Sequence, residues 1–531
     1  MNVDQNSQLA ARHFEAGNLL KSQGQLAEAI AEYHTAIALR PDLAEAHNNL
    51  GNALRAVGKR EEAIVHLRKA AELLPGVAAA HVNLASILLE LDRDDAAAAA
   101  SRRAVELQPD LAMSHHYLGL ALSRIGAFDG AIASFEKTIA LQPDHTDALS
   151  NLGNALLAAR RGDEAIGAYR KALAIQPDHA GALGGLAVAL HESADFDQAI
   201  ACGRRAIKIQ PDNATAHWNL GNSLLMLGDY SAGWPEFEWR WKIPRLCRPV
   251  HMAAPKWDGG NLSGRRILIF SEWAMGDAIQ AARYLPMVAA RGGRIILLCQ
   301  RELHRLLHNI APIEQLLAID QPVPACDAYC GMLSLPAVLG TNLQTIPAGA
   351  PYIPADPNLS TGWAARMPRH GRLKVGLVWL NKDNPPGRSP PLAEWGALAG
   401  IANLSLYSLQ KPVSAGSPPA PPGLELTDWT AELNDLADTA ALISQLDLVV
   451  AVDSVVAHLA GAMGKPVWVL LKHVPDWRWM MQRTDSPWYP SMRLLRQKVP
   501  GDWQSPLAEL STHLRHAAAR GGSIFDASPE S

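Results

Sequence analysis

The residues best suited to chemistry are Asp453 and Ser454, which stand where an apolar run ends. Residues 448–452 are apolar and mostly β-branched, an alanine-rich helical stretch follows, and Gly464 precedes a second apolar run. The pattern predicts a β-α-β unit that brings a carboxylate and a hydroxyl to the carboxyl edge of a parallel sheet. The helix N-terminus would offer unpaired N–H groups to a diphosphate there. Both residues are also common helix caps, and the sequence leaves the two roles open.

Two further turns carry groups that suit the same chemistry. After a predicted strand at 267–270, Gly276 would let the backbone turn tightly, and Asp277 is either a helix cap or a functional carboxylate at the mouth of a cleft. After a predicted strand at 375–379 come Lys382 and Arg388. Cations at a strand's carboxyl end would stabilise a leaving diphosphate.

His458 lies on the helix that follows Asp453. Its ring is expected either to face the phosphates or to pack among the apolar residues that flank it. No set of His, Cys, Asp and Glu residues has metal-ligand spacing, and a phosphate site built from a helix terminus and cations does not require Mg²⁺. The sequence therefore predicts a site without a metal or other cofactor.

The elements that must position these residues alternate from Arg266 onward. Helical stretches separate short apolar runs at 267–270, 295–298, 375–379, 404–409, 448–452 and 467–471. Such a series predicts parallel sheets with right-handed crossovers. A stretch at 358–372 that contains Gly, Pro and Arg divides the series into two parts. We therefore expect an α/β region of two Rossmann-like lobes that face a cleft.

The first half of the chain is a repeat array. Prolines recur every 34 residues, at 41, 75, 109, 143, 177 and 211, and small residues keep the same phase. This is the tetratricopeptide period, which predicts an all-α, right-handed solenoid of helix pairs. Six full repeats run from about residue 10 to 213, and a seventh diverges after Gly228. The stretch 233–242 then concentrates three tryptophans, as expected of an aromatic helix that attaches the solenoid to the next domain.

One phase of the repeats carries asparagine in four of them, at Asn49, Asn83, Asn151 and Asn219. A carboxamide both donates and accepts hydrogen bonds, so a ladder of them would hold an extended peptide whatever its side chains. The alternative is that these are solvated amides on the helix surface.

The sequence of residues 447–471 resembles glycosyltransferase family 9, the heptosyltransferase-like enzymes. The resemblance continues in Asp476-Trp477-Arg478-Trp479 and in residues 486–490. It looks closest to a bacterial branch in which that domain follows tetratricopeptide repeats. The resemblance implies a two-lobed GT-B fold, a nucleoside-diphosphate sugar as donor, inversion, and Asp277 as the catalytic base. Gln410 and Lys411 match the family's "LQK", and Arg388-Ser389 match its "RS".

The resemblance also bears on acceptor and activity. The architecture is similar to that of the eukaryotic protein O-N-acetylglucosamine transferase, in which an asparagine ladder holds substrate protein. Two departures stand out: Trp273-Ala274 replace the branch's usual Gln-Gly, and the loop at 380–389 is shorter than in related enzymes. The shorter loop leaves open a rival interpretation, a protein-interaction scaffold with an inactive transferase-like domain.

Composition excludes several classes of protein. The net charge of −4 argues against a general nucleic-acid binder, and we find no apolar run of membrane-spanning length. Five cysteines without a CxxC pair suggest neither a disulfide framework nor a zinc site, so we expect a cytoplasmic protein.

The predicted organisation has five parts. They are a repeat solenoid at 1–243, a linker at 244–262, an N-terminal lobe at 263–365, a C-terminal nucleotide-sugar lobe at 366–515 and a disordered tail at 516–531. The predicted function is metal-independent, inverting sugar transfer from a nucleoside diphosphate to an acceptor, expected to be a protein, that the solenoid selects.

Overall fold

The structure is a computed structural model that describes residues 3–244, 246, 253–369, 371–381, 387–412 and 420–519. The chain divides into two compact units, with the division after Pro211. The first unit is a helical solenoid, and the second contains two parallel sheets. No helix within the described ranges combines the length and the apolar character that crossing a membrane requires.

The first unit consists of successive helical hairpins. Its helices are α1 (Val3–Ser22), α2 (Leu26–Leu39), α3 (Ala44–Ala56), α4 (Arg60–Leu73), α5 (Ala78–Glu90), α6 (Asp94–Leu107), α7 (Ala112–Arg124), α8 (Phe128–Leu141), α9 (Thr146–Ala158), α10 (Gly162–Ile175), α11 (Ala180–Glu192) and α12 (Phe196–Ile209).

The repeat pattern explains both the ends and the packing of these helices. Every second helix ends two residues before one of the periodic prolines, because proline cannot continue the hydrogen-bonded backbone. The periodic glycines allow close helix contact: a Cβ at Gly17 would lie 2.7 Å from the Tyr33 ring, and one at Gly153 would lie 2.6 Å from Tyr169. The solenoid predicted from the 34-residue period is confirmed.

Acid is expected to destabilise the first unit through His116, a buried residue of α7. Burial lowers its pKa to about 4, and His145, whose ring stacks on it at 4.7 Å, acts in the same direction while Asp147 opposes. The folded unit therefore binds fewer protons than the unfolded chain between the ordinary histidine pKa of 6.5 and about 4. Its stability should fall as pH drops through that window and level off below it.

Replacing His116 with Phe should remove about 3 kcal/mol of this pH dependence between pH 7 and pH 4, because the variant ring has no proton to bind. The site suits an aromatic ring, since His116 packs against Tyr117 and Phe135. Denaturant unfolding followed by far-UV circular dichroism between pH 7 and pH 4 measures the effect. Parallel stability curves for the variant and the wild type would contradict it.

The second unit begins with helices α13 (Ala214–Met226) and α14 (Tyr230–Phe237) and a 3-10 helix at Glu238–Lys242. Its strands are β1 (Arg266–Phe270), β2 (Arg294–Cys299), β3 (Ile313–Ala318), β4 (Ala328–Gly331), β5 (Leu373–Val378), β6 (Leu404–Ser408), β7 (Leu426–Asp428), β8 (Leu448–Val452), β9 (Val467–Leu471) and β10 (Met492–Arg496). Its later helices are α15 (Met275–Ala282), α16 (Leu285–Ala290), α17 (His304–Leu307), α18 (Leu335–Val338), α19 (Pro357–Arg366), α20 (Leu436–Ser444), α21 (Val455–Ala462) and α22 (Gln504–Ala519).

Both sheets are parallel, which confirms the α/β prediction. The first has the order β3-β2-β1-β4, and the second has the order β10-β9-β8-β5-β6-β7. In each sheet the first three strands lie side by side in chain order, and the fourth then pairs with the free edge of the first. This switch point lies between β1 and β4 in the first sheet and between β5 and β8 in the second. Ligands of open α/β sheets bind at the carboxyl ends of the strands that flank such a switch point.

Helices α13 and α14 belong to the second unit, although the repeat period continues into α13. Trp234 of α14 donates from its indole nitrogen to the Thr341 carbonyl at 2.8 Å. Its ring meets Trp477 edge to face, with centroids 5.2 Å apart.

At the other end of the unit, α22 runs to Ala519. It therefore includes residues 516–519, which the sequence placed in a disordered tail. The helix continues this far because Ala517 and Ala518 are buried.

Candidate functional site

Asp277 lies in the first turn of α15, just after β1. One carboxylate oxygen accepts a hydrogen bond from the Ala274 N–H at 3.0 Å, and the other receives the guanidinium of Arg478 at 2.5 Å. Burial raises the pKa of Asp277, while the positive charge of Arg478 opposes that effect. The carboxylate is therefore both a local cap and one half of an ion pair with the second lobe.

Arg478 is the centre of this ion-pair cluster and is 5% exposed. Besides Asp277, its guanidinium bonds Asp476 at 2.7 Å and the side-chain oxygen of Gln280. Burial acts to raise the pKa of Asp476, but Arg478 outweighs it, so that the pKa lies below its ordinary value. Residues from α15 in one lobe and from the segment after β9 in the other thus share one charge network centred on the buried Arg478.

A second ion pair lies at the switch point between β5 and β8. Arg388, which follows β5 in the chain, donates to the carboxylate of Asp453 at the end of β8. Asn381 donates its amide to the backbone carbonyl of the same aspartate, and its N–H bonds Ser389 Oγ at 3.0 Å. The sequence predicted that Arg388 and Asp453 both face a phosphate, and the structure brings these two side chains together.

Ser454 caps α21, since its hydroxyl accepts the Ala457 N–H at 3.5 Å. His458 lies one turn further along and packs in the core. Its Nδ1 bonds the Tyr489 hydroxyl at 2.9 Å, and its ring stacks on Trp479. Burial lowers its pKa to about 3, which keeps the ring neutral. Of the two alternatives for His458, the structure shows packing.

Gly276 serves helix packing and not the tight turn that the sequence predicted. The residue lies inside α15 and is absent from the positions with positive φ. A Cβ at this position would lie 2.8 Å from the His458 ring. The glycine therefore allows α15 of the first lobe to approach α21 of the second.

Gln410 and Lys411 lie just beyond β6. The side-chain oxygen of Gln410 accepts the backbone N–H groups of Trp379 at 3.1 Å and Leu380 at 2.9 Å. This carboxamide thus holds the chain where it leaves β5. The side chain of Lys411 is exposed, and Lys382 lies outside the described residues.

Comparison with known proteins finds family matches in both halves of the chain. Tetratricopeptide-repeat families match residues 17–58, 44–77, 78–111, 118–180 and 189–228. The family described as glycosyltransferase family 9 (heptosyltransferase) matches residues 425–481. The chain combines tetratricopeptide repeats with a glycosyltransferase family 9 segment.

One curated relative is Protein FlbA of Caulobacter vibrioides (strain ATCC 19089 / CIP 103742 / CB 15), which is 27% identical over 331 residues. The alignment covers 56% of this chain, and the chain spans only 54% of the relative's length. Among solved structures, the MamA protein is 28% identical with a TM-score of 0.31, and the match covers 33% of this chain and 94% of that one. YrrB, described as a TPR protein with an unusual peptide-binding site, is 23% identical with a TM-score of 0.30. That match covers 35% of this chain and 95% of YrrB.

The glycosyltransferase family 9 segment contains part of the candidate site. Asp453, Ser454, Asp476 and Arg478 lie within residues 425–481, whereas Asp277 and Arg388 lie outside them. The two groups meet through the ion pairs of Asp277 with Arg478 and of Arg388 with Asp453.

The asparagines of the repeats are half-buried and partly bonded to one another. Asn49 donates to Asn18 at 2.8 Å, and Asn83 donates to Asn48 at 2.7 Å. Asn151 lies at the equivalent position of α9, and Asn219 lies on α13 of the second unit. Their use by a peptide remains a prediction.

Sequence reasoning missed Arg478, Asp476, Gln280 and Asn381. The first two stand in the phrase Asp476-Trp477-Arg478-Trp479, which carried part of the family resemblance but was given no role. Nothing in the spacing could pair Arg478 with a residue that precedes it by 201 positions.

Proposed function

We propose that the chain is a glycosyltransferase that uses a nucleoside-diphosphate sugar and acts on a protein or peptide selected by its repeats. The observation that carries this proposal is the meeting of Arg388 and Asn381 with Asp453 at the switch point of the second sheet, beside the N-terminus of α21. A diphosphate at that point would lie beside a guanidinium, a carboxamide and the backbone N–H groups of the first turn of α21.

In the proposed reaction Asp277 removes the proton of the acceptor hydroxyl, and the hydroxyl oxygen attacks the anomeric carbon from the face opposite the diphosphate. The bond to the diphosphate breaks, and the sugar is transferred with inversion. Raised basicity suits this role, and burial raises the pKa of Asp277. Arg478 orients the carboxylate through its bonds to Asp277 and Gln280.

The leaving diphosphate gains charge as the bond breaks and would be stabilised by Arg388 and by the positive end of α21. Asp453 forms an ion pair with Arg388 and neutralises its charge. The incoming diphosphate must therefore compete with this carboxylate. Arg388 and the helix terminus supply the positive charge, so we propose that no metal takes part. Lys411, exposed at the end of β6, is a further candidate contact to the donor.

Replacing Arg388 with Ala should weaken nucleoside-diphosphate binding by about 10- to 100-fold, because it removes a charge-assisted hydrogen bond and leaves Asp453 facing the ligand. Calorimetry of the tag-free protein with a panel of nucleoside diphosphates and their sugar conjugates, without added metal, measures the effect. Arg366, an exposed arginine paired with Glu432 in the same lobe, provides the matched control Arg366→Ala.

The calorimetry also tests the proposal as a whole. Selective binding by the wild type establishes a donor site and identifies the base of the nucleotide. Equal affinity in the Arg388 and Arg366 variants would remove Arg388 from that site. No binding of any member of the panel would overturn the transferase proposal in favour of an interaction scaffold.

The acceptor part of the proposal depends on the solenoid. Replacing Asn83 and Asn151 together with Ala should lower kcat/KM for a protein acceptor by about tenfold, because the hydrogen bonds between these carboxamides and the peptide backbone are lost. A small-molecule acceptor should be unaffected. Comparing kcat/KM for the two kinds of acceptor measures this difference. An equal decrease in kcat/KM for both would contradict the hypothesis that the asparagine ladder binds the peptide.

We also propose a cytoplasmic location. Cys202, Cys299, Cys326 and Cys330 are all free thiols in the structure, and two of them are buried. Such a pattern suits a reducing compartment.

A further inference from the structure

A strained segment, residues 479–482, follows Arg478 in the second lobe. Met480 has a φ of 48° and a ψ of 178°, a backbone conformation that glycine adopts readily but that is unfavourable for a residue with a Cβ. Gln482 also has a positive φ, of 52°. Such a conformation persists only where the surrounding structure holds it in place.

The positive φ of Met480 differs from that at the ends of the repeat helices. Asp92, Arg160 and Ala194 follow α5, α9 and α11, and a left-handed residue is a common way for a helix to end. A left-handed helix end has a ψ of about 50°, whereas the ψ of Met480 lies close to 180°. Helix termination therefore does not explain the backbone of Met480.

Arg496, the last residue of β10, bonds the strained segment. Its guanidinium donates to the carbonyl oxygen of Met480 at 2.7 Å and to that of Trp479 at 3.2 Å. A weaker contact of 3.9 Å joins it to the sulfur of Met481. Burial lowers the pKa of Arg496 to about 10, so the side chain remains charged at pH 7. Hydrogen bonds from a charged donor are stronger than neutral ones, which suits Arg496 to hold an unfavourable backbone.

The side chain of Met480 provides a second attachment. It is 7% exposed and lies against the turn between α13 and α14, where a Cβ added to Gly228 would lie 2.9 Å from its terminal methyl carbon. The strained segment is thus fixed by the packing of Met480 and by the hydrogen bonds of Arg496.

The position of this segment matters because it directly follows the buried charge network. Arg478, which bonds Asp277 and Asp476, is separated from Met480 by Trp479 alone. Without Arg496, the carbonyls of Trp479 and Met480 would lose these bonds and the strained backbone would relax. The neighbouring Arg478 would then move with it.

We propose that Arg496 is a positioning residue of the transferase site, which fixes the strained segment and so keeps the guanidinium of Arg478 on the carboxylate of Asp277. The inference rests on the proposed function for its catalytic consequence, because Asp277 is the proposed base. Arg496 acts through Arg478 and not on the reacting atoms.

Hydrogen exchange of the full-length chain, followed by mass spectrometry, tests the anchoring without any substrate. The N–H groups of Trp479 and Met480 donate to the carbonyls of Asp476 and Trp477 at 3.0 and 3.1 Å, which protects them from exchange. In Arg496→Met both amides should exchange at least about tenfold faster than in the wild type, because the backbone is released. Unchanged exchange would overturn the inference, whether or not the protein transfers sugar.

Arg493→Met is the matched control. It removes an arginine of the same strand whose guanidinium lies 3.5 Å from His513 of α22, and exchange in the strained segment should equal that of the wild type. Equal acceleration in the Arg493 and Arg496 variants would also overturn the inference. Arg496→Gln keeps a donor without the charge and should accelerate exchange by a smaller factor, so it decides the test should Arg496→Met fail to fold.

The pH profile of kcat, with the donor that calorimetry identifies, measures the catalytic consequence. Arg496→Met should lower kcat about 10- to 100-fold and change the donor KM less than about twofold, because the base is misplaced while the donor contacts remain. The acid limb should move to higher pH, since a displaced Arg478 no longer opposes the raised pKa of Asp277. A lower kcat without this shift would overturn the positioning role. If no donor supports transfer by the wild type while Arg496→Met still exchanges faster, the proposed function fails and the anchoring by Arg496 stands.

Discussion

Replacing Asp277 with Asn is expected to reduce glycosyl transfer by about 10²- to 10⁴-fold, the contribution typical of general-base catalysis. Asparagine has nearly the same shape and still accepts the Ala274 N–H, but it cannot take a proton from the acceptor. Arg478 keeps its bonds to Asp476 and Gln280. Nucleoside-diphosphate affinity should therefore change by less than about twofold, since the donor contacts lie on the other lobe.

Turnover at saturating donor, together with calorimetry on the same preparation, measures this separation of effects. Asp356→Asn is the control, because Asp356 caps α19 through the Asn358 and Leu359 N–H groups and is exposed. Survival of turnover in the Asp277 variant would show that another group is the base. A parallel loss of turnover, nucleotide affinity and thermal stability would instead assign Asp277 a structural role.

The pH profile gives an independent check on the same residue. A base must be unprotonated, and burial raises the pKa of Asp277 above that of an ordinary aspartate. Wild-type turnover should therefore fall on the acid side at a higher pH than an exposed aspartate would give. The residual turnover of the Asn variant should lack this limb.

The sequence predicts the centre of each sheet better than its edges. The predicted apolar runs became β1, β2, β5, β6, β8 and β9, which lie inside the two sheets. The strands that the sequence did not predict, β3, β4, β7 and β10, are the edges of those sheets. An edge strand needs fewer buried residues, as the partly exposed β3 shows, and so its sequence lacks the continuous apolar signal of a central strand.

The residues of the candidate site also divide into those that the sequence could locate and those that it could not. Asp277 and Asp453 could be located from the sequence because each follows an apolar strand, and strand ends meet at one edge of a parallel sheet. Arg388, the partner of Asp453, could be located in the same way, because it follows the predicted strand at 375–379. Arg478 could not, because its pairing with Asp277 depends on how two lobes pack. Gly276 illustrates the limit: one glycine is compatible with a turn or with a close helix contact, and only the position of His458 decides between them.

The second large expected effect concerns Arg240, whose side chain is fully buried in the second unit. Its guanidinium bonds Glu272 at 2.8 Å, Glu238 at 2.5 Å and the Ser334 hydroxyl at 2.8 Å. Glu272 stands between β1 and the turn that holds Asp277, and its second carboxylate oxygen accepts the Leu333 N–H at 3.0 Å. Arg240 therefore joins the segment after α14 to the strand ends of the first sheet.

Replacing Arg240 with Met is expected to lower the free energy of unfolding of the second unit by about 3 to 5 kcal/mol, because Glu272 is left as an uncompensated buried charge. Arg266→Met, which breaks an exposed pair with Glu314, should cost less than about 1 kcal/mol. All 15 tryptophans lie at or beyond residue 218, so tryptophan emission during denaturant unfolding reports on this unit alone.

Two measurements can distinguish the uncompensated charge of Glu272 from lost packing of Arg240 as the cause of the lower free energy of unfolding. Burial already raises the pKa of Glu272 against the opposing charge of Arg240, and without the arginine the pKa must rise further. A carboxyl with a raised folded-state pKa is penalised above that pKa and relieved below it, so the Arg240 variant should be less impaired, relative to wild type, at pH 5 than at pH 8. Adding Glu272→Gln should restore part of the stability at pH 8, since glutamine carries no charge and still accepts the Leu333 N–H. A deficit that is independent of pH and is not reduced by Glu272→Gln would mean that Arg240 stabilises the unit through its packing alone.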